Sequence, residues 1–405
     1  MHFFIKNKTI VYLFIILLAI SPAFALGEGN RNLLLIGAML ISPLILLRYP
    51  IVIPKIDIPL VGLCLMMAFF PLILHPETMR WSTVLYSYLF CFFFMAFVRV
   101  FYHSRFTSVD FLRLLKGLIY AYCIVLIIQQ ICVLTGLPIF NVSNYDPSDP
   151  WKLNSLMSEP SHSARIVPIM MYIYLQERET VLRRSYYIKT DFGADKLVWF
   201  AFLWTIFTMG SATGFLFLIL VLSKILKIRK FSSVLIIMIV GLGLTLVLSE
   251  NAAFMRTITF TKAFLTFDET EMMAADHSAA CRVVPSFIAV KQIDLSTLDG
   301  WFGYGVDAEK NLPMMPGVPV AGAGILYLWY NYGFFVALLY WIFTFLICYK
   351  RNHLSSILIW FLSVFIVGGI NNQIVWLVLI LCYTQKHIKI TNESNSFSSW
   401  KSESY

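Results

Sequence analysis

The sequence predicts an all-α fold: a polytopic transmembrane helical bundle of about 12 spans, with one large external loop before the last three spans. Three observations carry this expectation. Of 405 residues, 59% are hydrophobic, 16% aromatic and only 13% charged, whereas a soluble chain carries about 25% charged residues. The mean hydropathy is +0.77. The apolar residues fall into runs of roughly bilayer length, and Lys and Arg gather in particular segments between them. Too little polar surface remains for a soluble enzyme, a disordered scaffold or a nucleic-acid binder. The formal charge of +9, from 31 Lys and Arg against 22 Asp and Glu, therefore has to be read by position, not as a nucleic-acid footprint.

A helix needs about 20 apolar residues to cross a hydrocarbon core of about 30 Å. Five runs meet this within 1–134, at 9–26, 32–47, 57–74, 83–101 and 111–134. The first has a second reading. Lys6 and Lys8, the apolar stretch from Ile10 and the small-residue site Ala23-Phe24-Ala25 resemble a cleavable signal peptide; an uncleaved first helix is the simpler expectation. A Pro-, Asn- and Asp-rich loop follows at 135–159. Four more spans are expected within 160–249, at 160–176, 196–210, 212–226 and 231–249, and then a long loop at 250–320. Three spans close the chain within 321–385, at 321–349, 354–369 and 373–385. The Ser- and Asn-rich tail at 386–405 is expected to be disordered and cytoplasmic.

Charge decides two ambiguous runs. A single helix over 197–223 would put either Arg178, Arg183, Arg184, Lys189 and Lys196 or Lys224, Lys227, Arg229 and Lys230 outside. A hairpin through Ser211-Ala212-Thr213-Gly214 keeps both clusters on the cytoplasmic side, where basic residues accumulate. The same logic divides 354–383 at Asn371-Asn372-Gln373. With both termini inside, the inner face is strongly basic and the outer face net acidic. Most of the net charge then orients the chain, and the informative cations are the few arginines left outside.

Six of the seven cysteines lie in or beside apolar runs, where Cys packs as a small hydrophobe; only Cys281 stands in a polar stretch. There is no Cys-x-x-Cys, no metal-ligand spacing, no phosphate-binding P-loop, no dinucleotide fingerprint and no zinc-protease motif. No metal and no cofactor is expected, so the substrate must bring the energy for any reaction.

Two constellations remain. The first is Ser158-Glu159-Pro160-Ser161-His162-Ser163-Ala164-Arg165. Pro160 suits a first helical position, so the plain reading is a helix start capped by Ser158 or Glu159. Against it, Glu159, His162 and Arg165 are spaced so that consecutive members can touch on one helix, and Arg165 at an apolar boundary costs about 1–3 kcal/mol unless paired or solvated. The second is Asp276-His277 with Arg282, followed by Gly303-Tyr304-Gly305, whose glycines would allow a tight turn and bring backbone N–H groups close to a ligand. The plain readings are solvated loop charges and an ordinary turn. Gln129-Gln130 and Asn371-Asn372-Gln373 can either bond helices together or face a polar cavity. Arg165, Arg256 and Arg282 suit a diphosphate, because a guanidinium binds phosphate oxygens bidentately. Glu159, Asp276 or His277 would then act as general base toward a hydroxyl.

These motifs resemble those of the Wzy family of O-antigen and polysaccharide repeat-unit polymerases. Ser158-Glu159-Pro160-Ser161 is similar to a family signature at the head of a middle helix. Asp276-x-Ser278 with Arg282 and Gly303-Tyr304-Gly305 is similar to its large-loop pattern, and Ser211-x-Thr213-Gly214 to its hairpin. The resemblance implies a membrane glycosyltransferase of lipopolysaccharide biosynthesis in the bacterial inner membrane, with its large loop and active site in the periplasm. It implies undecaprenyl-diphosphate-linked oligosaccharide as substrate, membrane lipid and a chain-length regulator protein as partners, and no nucleic acid. Glu159, His277 and Asp276 would be catalytic, Arg165, Arg256 and Arg282 would bind the diphosphate, and Ser161, His162, Gly303, Tyr304 and Gly305 would contact the substrate. An O-antigen ligase, using the same donor, and a lipid-linked oligosaccharide flippase are the competing expectations.

Overall fold

The computed structural model describes residues 6–24, 32–141, 145, 147, 149–209, 211–225, 252–312, 325–350, 354–365 and 368–402. Every regular element among them is helical, with no strand. In chain order the α-helices are α1 (Asn7–Ile20), α2 (Leu33–Arg48), α3 (Pro54–Leu74), α4 (Trp81–His103), α5 (Ser108–Thr135), α6 (Pro160–Leu182), α7 (Ile188–Thr208), α8 (Ala212–Ile225), α9 (Ala252–Thr266), α10 (Glu269–Ala275), α11 (His277–Lys291), α12 (Leu298–Phe302), α13 (Ile325–Tyr332), α14 (Phe334–Cys348), α15 (Leu354–Trp360) and α16 (Gln373–Ser402). Among the described residues, four segments are long and apolar enough to cross a membrane: Asn7–Phe24, Pro54–Leu74, Trp81–His103 and Ser108–Thr135. Shorter apolar helices occupy Leu33–Arg48, Thr213–Ile225, Phe334–Cys348 and Ser355–Phe365. The expected span 231–249 lies outside the described residues.

The chain divides into two compact units, one of residues 1–37, 100–257 and 380–405, the other of 38–99 and 258–379. The first is built on α5, which packs against α1, α6 and α7. Its start is set by a reciprocal cap: Asp110 N–H donates to Thr107 Oγ1 (3.3 Å) and Thr107 N–H to Asp110 Oδ2 (3.0 Å). Tyr122 on α5 donates to Ala19 O at 2.6 Å and so holds the end of α1. The expected span at 160–176 forms as α6, but α6 is not among the four apolar helices. It is buried along nearly its whole length by α5, α7 and α8, so protein surrounds the polar groups a lipid-facing helix could not carry. The break at Ser211–Gly214 separates α7 from α8 as the charge pattern predicts, with Gly214 N–H donating to Ser211 O at 3.0 Å. The basic segment between α6 and α7 is tied by ion pairs: Arg184 forks onto Asp191 (2.9 and 2.5 Å), and Arg178 meets Asp195 at 3.1 Å. Lys224 on α8 pairs with Glu179. The guanidinium of Arg184, with the backbone N–H of Tyr187, holds the Asp191 carboxyl down at about 2.

In the second unit α3 packs on α13 and α14, and α12 packs on α14. Trp376 is fully buried, stacked on Phe90 (centroids 5.9 Å apart) and tilted against Phe94. Asp57 pairs with Arg99 at 3.1 Å, and the same guanidinium donates to the carbonyls of Leu46 and Tyr49, both at 3.2 Å. The span expected over 321–349 is two helices. Gly333, at φ 93°, breaks it between α13 and α14, because a helix cannot pass through a residue in that conformation. Asn371 and Asn372 divide the last apolar run as expected. Ser87 donates to Asn371 Oδ1 at 2.5 Å, and Asn372 Oδ1 accepts from Ile374 N–H at 2.9 Å, capping α16. The tail, expected to be disordered, continues α16 to Ser402, where no Pro or Gly interrupts the helix.

Within the long loop expected at 250–320, the described residues 252–312 are largely helical. Helices α9, α10 and α11 bury Ala263, Met272, Ala280, Val283, Val284 and Ile288 together, with Phe260, Phe264 and Phe287 packed against them. Its apolar stretch from Val283 is thus the core of a small helical layer.

Candidate functional site

The head of α6 is positioned by the loop before it. Residues 153–157 are buried, and Ser155 sits in the left-handed region at φ 54°. Gln129 of α5 grips this loop with both ends of its amide. Its Oε1 accepts from Ser155 N–H (2.8 Å) and its Nε2 donates to Phe140 O (2.7 Å). Ser155 Oγ donates to Tyr122 O (2.7 Å), and Asn141 Nδ2 donates to Ser155 O and Met157 O (2.8 and 2.6 Å). Ser163 on α6 donates to Asn154 O at 2.6 Å. Gln130 bonds Thr208 and receives Trp204 Nε1–H from α7. Of the two roles open to Gln129-Gln130, the structure shows the bonding one.

Glu159 occupies the cap position with Pro160 behind it, but its side chain makes no cap hydrogen bond. The expected capping by Glu159 does not occur. Its carboxylate accepts instead from Ser161 Oγ at 3.1 Å and stands 3.8 Å from His162 Nε2. The other ring nitrogen, Nδ1, meets Ser158 Oγ at 3.2 Å. The four side chains form a line, Ser158–His162–Glu159–Ser161. His162 and Glu159 are partly exposed, at 20% and 30%. An imidazole with a carboxylate on one side and a hydroxyl on the other is an arrangement that can accept and pass on a proton. Arg165 lies one turn further on, 2% exposed, with its guanidinium 6.0 Å from the Phe217 ring centre on α8. It is a buried cation over an aromatic face, not an arginine at an open lip. Arg256 stands half-buried on α9, its Nε buried and without a hydrogen bond.

The second constellation belongs to the other unit. Asp276 caps α11, accepting Ala279 N–H at 2.9 Å, which commits the carboxylate expected to be catalytic to a structural bond. His277 is exposed and faces Cys281 one turn on, with Nδ1 3.6 Å from the sulfur. Arg282 lies on α11, and its side chain is outside the described residues.

Gly303-Tyr304-Gly305 is a backbone junction. Gly303 N–H goes to Asp299 O (2.8 Å), Tyr304 N–H to Tyr330 O (2.9 Å) and Gly305 N–H to Asn331 O (3.2 Å). The donors expected to approach a ligand are therefore taken up by the chain itself. A Cβ on Gly303 (φ 95°) would stand 2.4 Å from Asn331 O, and one on Gly333 2.4 Å from the Phe302 carbonyl carbon, so the two segments cross backbone against backbone. Tyr304 stacks on Tyr330, ring centres 4.6 Å apart, and its hydroxyl donates to Gln292 O while accepting Asp294 N–H.

Several residues around this junction escaped the sequence reading. His75 Nε2, just beyond α3, lies 3.2 Å from Asp299 Oδ1 and 3.1 Å from Gly303 O. Asp307 is held by Arg80 (2.7 Å), Lys310 (2.9 Å) and Thr83 (3.3 Å). Burial pushes the Asp307 carboxyl upward, but Lys310 and Arg80 outweigh it and keep it below the ordinary carboxylate range. In the sequence, Asp307-Ala308-Glu309-Lys310 reads as a solvated charge run, and nothing local ties it to Arg80.

No family model, no curated protein and no solved structure matches this chain.

Proposed function

We propose that the chain is an O-antigen polymerase of the Wzy type. In this reading it is a glycosyltransferase of the bacterial inner membrane that joins undecaprenyl-diphosphate-linked oligosaccharide repeat units at the periplasmic face. The observation that carries the reading is the Ser158–His162–Glu159–Ser161 line at the head of α6, held on a buried and multiply bonded loop. Apolar helices of membrane-crossing length support it, as does a sequence without a nucleotide-binding motif.

Glu159 takes the proton of the acceptor hydroxyl, and His162 orients Glu159. The acceptor oxygen bonds to the anomeric carbon of the donor sugar as that carbon's bond to the lipid diphosphate breaks. The departing diphosphate carries the electron pair and needs positive charge. Arg165, in the same unit as Glu159, is assigned to it; a guanidinium buried as Arg165 is acts far more strongly than one in water. Glu159 is preferred as base over Asp276, which caps a helix, and over His277, which faces Cys281. A chain-length regulator remains the partner protein this reading proposes.

Gene deletion read on a lipopolysaccharide gel tests the proposal. Loss of a polymerase leaves core plus a single repeat unit. Core with no repeat at all identifies a ligase or a flippase instead.

A further inference from the structure

Helix α12 lies at the end of an apolar helix of membrane-crossing length. Its Phe302 ring meets Phe70, four residues from the end of α3, edge to face with centres 5.0 Å apart. Gly303 O, just past α12, is 3.1 Å from Nε2 of His75, just past α3. These two contacts fix the level of α12 along α3. On its other side α12 meets the start of α14: Trp301 stands edge to face with Phe334 (5.7 Å) and beside Phe335 (6.1 Å). The exposed residues Phe335, Ile342 and Leu346 of α14 recur at helical spacing on one face, and Leu338, Leu339 and Phe345, half-buried, fill the same face. At 15 residues, α14 is about 22 Å long, short of a hydrocarbon core of roughly 30 Å.

The apolar face continues onto α12. Leu295, Leu298 and Trp301 are 50%, 64% and 38% exposed, and the indole N–H donates to Leu295 O at 3.0 Å, which draws the segment together. The polar side chains between them are turned onto the chain itself. Asp294 accepts from Ser296 N–H and Oγ–H (2.9 and 2.7 Å), Thr297 Oγ1 donates to Asp294 O at 2.9 Å, and Asp299 faces His75 at 3.2 Å. The turn is tightly built, since a Cβ on Gly300 would stand 2.1 Å from Asp294 O. We infer that Leu295, Leu298 and Trp301 form an interfacial anchor, sunk into the boundary between lipid headgroups and acyl chains at the end of α3 and the start of α14. Tryptophan is enriched at that boundary, and an indole whose N–H is already bonded enters it with no donor left open. The occupant is lipid because the patch sits at the end of a helix long and apolar enough to cross a membrane and runs into the apolar exposed face of α14. The inference needs a bilayer around the chain but no particular enzyme activity, so it goes beyond the polymerase reading and does not rest on it.

The test uses the full chain in lipid nanodiscs, with an environment-sensitive fluorescent amino acid in place of Leu298. That side chain is exposed, so the replacement costs little packing. A second protein carries the label in place of Glu77, a charged and exposed residue just past α3. Emission from position 298 should be blue-shifted relative to position 77 and quenched by lipid brominated near the headgroup end of its chains. Its quenching by iodide should be several-fold weaker than at 77. The label in place of Leu295 should read the same, so that a folding failure of one variant does not leave the question open. Equal iodide access at 298 and 77 overturns the anchor, as does quenching only by lipid brominated deep in its chains. Exclusion of both quenchers in a chain that elutes as a dimer assigns the face to a second copy and overturns it as well. A gene deletion that removes the polymerase reading leaves the quenching result untouched, because quenching reports depth alone.

Discussion

The Glu159 carboxylate stands 3.8 Å from His162 Nε2, from a helix-cap position where its side chain caps nothing. A carboxylate at that position ordinarily satisfies the first N–H groups of the helix. Here those bonds are not drawn on, and the group is left facing an imidazole and a hydroxyl.

Glu159→Gln should therefore separate activity from stability. Polymerisation by purified protein should fall about 10²- to 10⁴-fold, while the stability read from thermal melts stays within about 0.5 kcal/mol of native. His162→Gln should lower the turnover rate with little change in apparent donor affinity. A Glu159→Gln variant of native turnover would end the assignment of that residue as base.

Gln129→Leu should do the opposite. It keeps the volume but strips Ser155 N–H and Phe140 O of their partners, each costing about 1–3 kcal/mol when buried. The loop before α6 should loosen. Faster amide exchange at Ser155, together with a lower midpoint, is the expected measurement, with activity falling as a consequence.

Gly303→Ala and Gly333→Ala should each disable the second unit. Both residues have φ above 90°, and a Cβ at either would meet backbone atoms at 2.4 Å; backbone strain of that kind alone costs about 1–3 kcal/mol. Low yield and rapid proteolysis of 258–379 are expected. Gly117→Ala is the control. Nothing lies within 4 Å of its added Cβ, and in mid-helix the change should stabilise by up to about 1 kcal/mol.

Two carboxyls should report pH with opposite sign. Asp191 is held at about 2 by Arg184, below its unfolded value of about 3.9. Its contribution is present above the unfolded value and is lost as pH falls through the folded one. Asp191→Asn should melt lower at neutral pH, and the gap should close as pH falls from about 4 to about 2. Burial raises Glu309 instead, so the unfolded chain loses that proton first and stability falls as pH rises past the ordinary carboxylate range. Glu309→Gln should melt higher than native at neutral pH and equal to it in acid. Thermal scans across pH check both.

The reasons some features were readable lie in the distance over which each is determined. Pro160 marks a helix start through its own backbone, and Asn371-Asn372-Gln373 divides an apolar run on its own polarity. The break at Ser211–Gly214 followed from charge on the segments flanking it. By contrast, Gly333 interrupts an apolar run that nothing nearby divides, because its partner is the backbone near Phe302. Asp276 reads as a candidate base in a loop, and its role as a cap depends on the helix that starts at His277.

The crossing of 301–303 with 331–333 has a consequence for how this chain can change. Most crowded contacts can be relieved by trimming the opposite residue. At this crossing glycine already stands on both segments, and no smaller residue exists. A larger side chain at either position has no second-site suppressor within the pair, so the joint can be inherited intact or rebuilt with another backbone path, but not gradually retuned.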